Sequence, residues 1–334
     1  MKFSRNILVL MGVISILFVS CHNNKKNKLD IELPKDAKID VKIYRYDKVL
    51  MNLNVDNLKN ELKQNKKDYM LFLDANLDDT LNILRIYNFI KDPATHEIYD
   101  AIVKKYSDVK WLENDLGTAF TYLKHYFPNK AIPKVYSYHS FMDYQNRIIY
   151  LDTVMAIALD MYLGKDFKLY PSVEIPKYLA ARLDSNYIIA DCMSTIAEKM
   201  VKFDPNGKSL LDFMIDRGKI LYIEDALIPK VSDDIKIGYT KEQIEWCKKN
   251  EANIWAFFIK NNLLYCKDFH KIRPFVSEGP KTNGFPGSPP RMADWVGWQI
   301  VKYYMDNKKT DLNEMINLDD SQAILQASKY KPQK

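Results

Sequence analysis

KVYSYHSFMDYQNRIIYLD, residues 134–152, separates an all-helical reading of this chain from an α+β one. On either side of it, apolar residues recur every three or four positions. Here the period shortens towards two, and residues 135–141 and 147–151 read as strands. Asp143-Tyr144-Gln145-Asn146 would join them as a hairpin. Ile39, Val41 and Ile43 alternate with Asp40 and Lys42, which predicts one more strand. A small antiparallel sheet is therefore expected inside a mainly helical chain.

Upstream, helices are predicted over 55–67, 79–90, 93–106 and 109–127. The last is clearest: Leu112, Leu116, Phe120, Leu123 and Phe127 form one stripe, ended by Pro128 and Pro133. Downstream, helical patterns cover 153–163 and 176–200, with Pro176 suited to a first turn. Thr240 and Gln243 make a capping box for another helix, whose buried face is Ile254, Trp255, Phe258 and Ile259. A Pro/Gly-rich loop then leads into a last helix from about residue 291. No internal repeat and no long linker divides the chain, so 37–330 is read as a single, mainly helical α+β domain.

Composition agrees with one large core. Of 334 residues 47% are apolar, and only 10 are Gly and 14 Pro, too few for a repetitive β-sandwich. The net charge of +6 is spread along the chain rather than gathered into a basic patch, which argues against nucleic acid as a partner.

The N-terminus has a different character. Lys2 and Arg5 precede an apolar run over 7–19 that falls short of the ~20 residues a bilayer requires, and Ser20 then stands before Cys21. Charge, apolar run, small residue and cysteine in that order resemble a bacterial lipoprotein signal. The resemblance implies a signal peptide at 1–20, removed before Cys21, and a diacylglycerol on the Cys21 sulfur. Residues 21–36 then form a lipidated tether to the membrane. An uncleaved anchor is the other reading; both export the body. No acidic cluster follows Cys21, so the body is expected to face the periplasm. Cys192, Cys247 and Cys266 remain, an odd number with no CxxC; Cys247 and Cys266 either pair or stay as thiols.

The five histidines stand singly, and HExxH, GxSxG, P-loop and GxGxxG motifs are all missing. Neither a metal nor another cofactor is expected. Three features still stand out. Glu198 follows an apolar run, an odd place for an unpaired carboxylate. Arg217 and Gly218 interrupt the apolar segment FMIDRGKILY; Glu198 and Arg217 either pair or lie on solvated helix faces. Finally, the stiff loop before residue 291 delivers Arg291, Asp294, Trp295 and Trp298 onto a helix start. Those side chains either line a cleft or anchor the helix.

ALDMYLG, RGKILYIEDALIP, IGYTKEQIEWC and SPPRMADWVGWQIVKYY, with the lipoprotein signal, together resemble the gliding-motility lipoprotein GldB family of Bacteroidota. The likeness covers essentially the whole chain. It implies a supporting role in gliding and in the associated type IX secretion apparatus, with other proteins of that machinery as partners. It further implies a zincin-like domain, distantly similar to predicted HExxH zinc proteases. On that placement HExxH falls on residues 197–201, where Ala197 and Val201 carry no metal-binding atom and Glu198 alone survives. Arg217 then stands where an anionic ligand belongs. A catalytically silent binding or assembly protein is expected; the alternative is a hydrolase, acting on peptides or glycans, that uses Glu198.

Overall fold

A computed structural model describes residues 29, 31–34, 37–204 and 206–332. The expected signal peptide, Cys21 and most of the expected tether lie outside the described residues. Leu29, Ile31 and Leu33 already pack against the core, and the Tyr122 hydroxyl donates to the Ile31 carbonyl at 3.1 Å.

The sheet is mixed, not antiparallel. Its strands are β1 (Ile43–Arg45), β2 (Lys134–Tyr138), β3 (Ile148–Tyr150) and β4 (Val154–Ala158), in the order β1-β2-β4-β3. β1, β2 and β4 run parallel, and only β3 is antiparallel to β4. The expected hairpin between 135–141 and 147–151 therefore does not form. Asp160 explains why. Its buried carboxylate accepts from the Ser140 backbone N–H (3.0 Å), the Ser140 hydroxyl (2.8 Å) and the Met142 N–H (2.6 Å). This draws Phe141 and Met142 into left-handed backbone (φ 61° and 62°) and takes the chain out of the sheet. The hairpin is instead β3–β4, turned at Asp152.

β4 overturns the helix expected over 153–163. VMAIA is buried from Met155 onward, and a short, wholly apolar run has no period to distinguish strand from helix. The helix expected over 176–200 is broken as well. Residues 177–180 form α6 (Lys177–Ala180), then Asp184 accepts from the Asn186 N–H and starts a 3₁₀ turn, and α7 (Ile188–Val201) follows. A polar Asp-Ser-Asn run offers the backbone local partners that compete with a helix.

The remaining helices are α1 (Tyr46–Met51), α2 (Leu58–Asn65), α3 (Thr80–Lys91), α4 (Pro93–Lys105), α5 (Lys110–Tyr126), α8 (Leu210–Leu227), α9 (Asp233–Ile237), α10 (Lys241–Lys260), α11 (Phe269–Val276), α12 (Met292–Lys308), α13 (Leu312–Asn317) and α14 (Ser321–Ser328). The capping box at Thr240 and Gln243 starts α10, and Ser209 with Asp212 forms another at α8. α1, α8, α9, α11, α13 and α14 lie outside the predicted helix ranges. The buried Lys219 ammonium ties α13 down by donating to the carbonyls of Ile316 (3.2 Å) and Leu318 (2.6 Å). Cys192, Cys247 and Cys266 are free thiols, the first two buried. Among the described residues no helix is long and apolar enough to cross a membrane.

α8 and α12 are the central pair, buried almost all round, and α7 packs beside α8. Their crossing brings Gly218 against Gly297. A Cβ on Gly218 would lie 2.3 Å from the Gly297 carbonyl oxygen, so the two backbones touch. Only glycine allows that approach, and it fixes which residues of α8 and α12 reach the cleft beside it.

Candidate functional site

A cleft of about 320 Å³ opens where α7, α8, α9, the end of α11 and the start of α12 meet. α7 lends Asp191, Ser194, Thr195 and Glu198, the spacing of one helix face. Arg217 comes from α8, Arg291 and Asp294 from the start of α12, and Glu278 from the loop after α11. Arg147 and Arg182 close the far side, and Phe203, Phe213 and Phe269 form an apolar flank.

The charges interlock. Arg217 donates through Nη1 to Glu198 Oε1 at 2.7 Å, and its Nε lies 3.3 Å from Asp294 Oδ2. Arg291 Nη1 donates to the same Asp294 oxygen at 2.9 Å, and its Nη2 caps the Ile237 carbonyl at 2.9 Å. Burial opposes the charge on Arg217, but Asp294 and Glu198 outweigh it and hold the guanidinium protonated. Asp191 accepts from Arg147 Nε (2.9 Å) and from the Tyr162 hydroxyl (2.8 Å). Burial alone would raise the Asp191 carboxyl; Arg147 and Arg182 pull it below the usual range.

Two carboxylates differ from the rest. Asp191 and Asp294 are buried, whereas Glu198 is 45% exposed and Glu278 41%. Behind the wall, Glu224 of α8 is fully buried. Neither of its oxygens has a hydrogen bond of good geometry, although Ser194 stands beside it. Burial pushes this carboxyl well above the ordinary glutamate value, against the pull of Arg217 and Lys236.

Of the residues singled out in the sequence, Glu198, Arg217, Arg291 and Asp294 share this cleft. Trp298 does not. It is fully buried, its indole N–H donates to Asp225 Oδ2 at 2.8 Å, and the Lys302 ammonium sits 3.5 Å above its ring. Trp295 is likewise buried against Glu251. Both indoles anchor α12. Of the positions in the expected protease-like register, Glu198 and Arg217 line the cleft, whereas Ala197 is fully buried and Val201 lines no part of it. Among the described residues no group of three or more His, Cys, Asp or Glu side chains is placed to hold a metal ion.

Sequence reasoning missed Asp191, Arg147, Arg182 and Glu278. Asp191 carried the same signal as Glu198, a charge inside an apolar helix run. Arg182 carried no such signal; its guanidinium lies over Gly238, where a Cβ would sit 2.3 Å from Cζ.

A family model described as gliding motility protein GldB matches residues 24–332. No curated protein and no solved structure matches the chain.

Proposed function

The chain belongs to the gliding motility protein GldB family, and from that membership we propose that it is a lipid-anchored envelope lipoprotein with a binding role rather than a hydrolytic one. Cys21 carries the lipid and the body faces the periplasm. There it supports gliding and the associated type IX secretion machinery by holding a ligand or a partner segment in the arginine-lined cleft. The scaffold is zincin-like without metal ligands, since Ala197 and Val201 offer no donor atom.

The observation that carries this proposal is the Glu198–Arg217 ion pair at 2.7 Å, backed by Asp294. A general base needs a free lone pair within reach of the proton it removes. Glu198 is instead held in an ion pair by Arg217 through Oε1, away from the role of a base poised over a substrate. Four guanidiniums in one cleft suit recognition of an anionic group, because each presents a planar fork of donors.

Replacing Glu198 by glutamine in cells tests it, because the amide keeps an acceptor for Arg217 but cannot serve as a general base. Colonies should spread as the parent does, with equal amounts of membrane-bound protein. A non-spreading strain with normal protein levels would favour the hydrolase instead.

A further inference from the structure

Arg182 and Arg291 are joined by one oxygen of a part-exposed carboxylate, Glu278. Glu278 Oε1 lies 3.4 Å from Arg182 Nη1 and 3.2 Å from Arg291 Nε, and both contacts are longer than a good charge-assisted bond. The Nε groups of Arg182 and Arg291 are buried and lack a well-formed hydrogen bond. A buried guanidinium N–H left in that state is unfavourable.

Both arginines are held from behind. Arg291 is fixed by Asp294 and the Ile237 carbonyl, and Arg182 rests on Gly238. Asp191, the other anion near Arg182, is 3.8 Å away and already engaged by Arg147 and Tyr162. Glu278 is the loose partner, since it comes from a loop and is 41% exposed.

We propose that Glu278 is a built-in stand-in for a ligand carboxylate, and that the cleft, resting on the binding role proposed for it, takes a monoanionic carboxylate attached to an apolar body. Exchanging one carboxylate for another preserves the local charge balance. A dianionic phosphate would not, because the remaining guanidiniums are already matched by Asp191, Asp294 and Glu198. The apolar body has a wall to meet: Phe203, Phe213 and Phe269 stand in sequence, with centroids 6.0 and 6.5 Å apart, and Phe269 is half exposed. About 320 Å³ lies at the small end of ligand sites.

Calorimetric titration of the full lipidated protein in detergent, with N-acetylphenylalanine as probe, tests this. Removing an internal competitor raises the fraction of empty seats, so Glu278→Ala should bind about tenfold more tightly than the parent. Adding Arg182→Ala should reverse that gain, and N-acetylphenylalaninamide, which lacks the carboxylate, should bind neither protein. Glu278→Gln keeps the side-chain shape and serves if the alanine variant folds poorly. Equal or weaker binding by both folded Glu278 variants would overturn the proposal. So would equal binding of the amide, tighter binding of inorganic phosphate, or no heat from any protein. Membrane fractionation and spreading of the Cys21→Ser strain report on the proposed envelope role separately, because Cys21 lies outside the cleft.

Discussion

Gly218 of α8 and Gly297 of α12 meet backbone to backbone. A Cβ on Gly297 would lie 1.7 Å from the Met214 carbonyl oxygen, and one on Gly218 would lie 2.3 Å from the Gly297 oxygen. Neither neighbour is a flexible side-chain end, so an added methyl group must push the two central helices apart. Gly297→Ala should therefore destabilise the protein by about 3 kcal/mol or more, as overpacked helix crossings do. Gly207 has open space around it and a φ of 68°, so Gly207→Ala should lose only about 1 kcal/mol through backbone strain. Urea unfolding of the two variants decides it. Similar midpoints would mean the helices can separate at little expense.

Arg217 bridges an exposed carboxylate and a buried one, so its two partners should respond unequally. Glu198 is 45% exposed, and Glu198→Ala should cost below about 1 kcal/mol. Arg217→Ala strips Asp294, itself 2% exposed, of one of its two guanidiniums and should cost about 2–3 kcal/mol. Chemical denaturation of both single variants and the double variant measures the coupling. Equal losses from the two single changes would contradict the asymmetry.

On the proposal that Cys21 carries the lipid, anchoring would rest on one sulfur. Cys21→Ser removes the atom that would carry the lipid and leaves the packed domain, which includes Leu29 and Ile31, unchanged. The variant should leave the membrane fraction, incorporate no labelled palmitate and fail to support spreading. Its unfolding should match that of the parent. Persistent membrane fractionation would point to an uncleaved N-terminal anchor.

What the sequence disclosed followed how local each cause was. The 109–127 stripe predicted α5 because five apolar residues share one face whatever surrounds them. Glu198 and Arg217 stood out as charges in apolar runs, and they pair. β4 was misread because its five residues are apolar without period, and its strand character comes from neighbours on both sides. The β2–β3 hairpin failed because Asp160, eighteen residues beyond Met142, redirects the backbone. Trp298 remained a cleft candidate because an indole beside an arginine suits either role; its partner Asp225 lies on another helix, where spacing gives no hint. Arg182 and Glu278 come together across ninety-six residues, a contact that only the packed fold creates.

Glu224 supplies a signature in pH. Its carboxyl is buried without a well-formed hydrogen bond, and burial raises its folded-state value well above 4.5. Between the unfolded and folded values, the folded chain binds a proton that the unfolded chain has released. The stability this group contributes is therefore complete below about pH 4.5 and is lost as pH rises through the elevated folded value. Glu224→Gln keeps the shape and remains neutral, so it removes the titration. The variant should match the parent near pH 4 and become progressively more stable than it towards pH 8. Urea midpoints for both proteins across that range provide the measurement. Parallel profiles would show that Glu224 is already ionised in the folded state, with Arg217 and Lys236 holding its charge through the wall of the cleft.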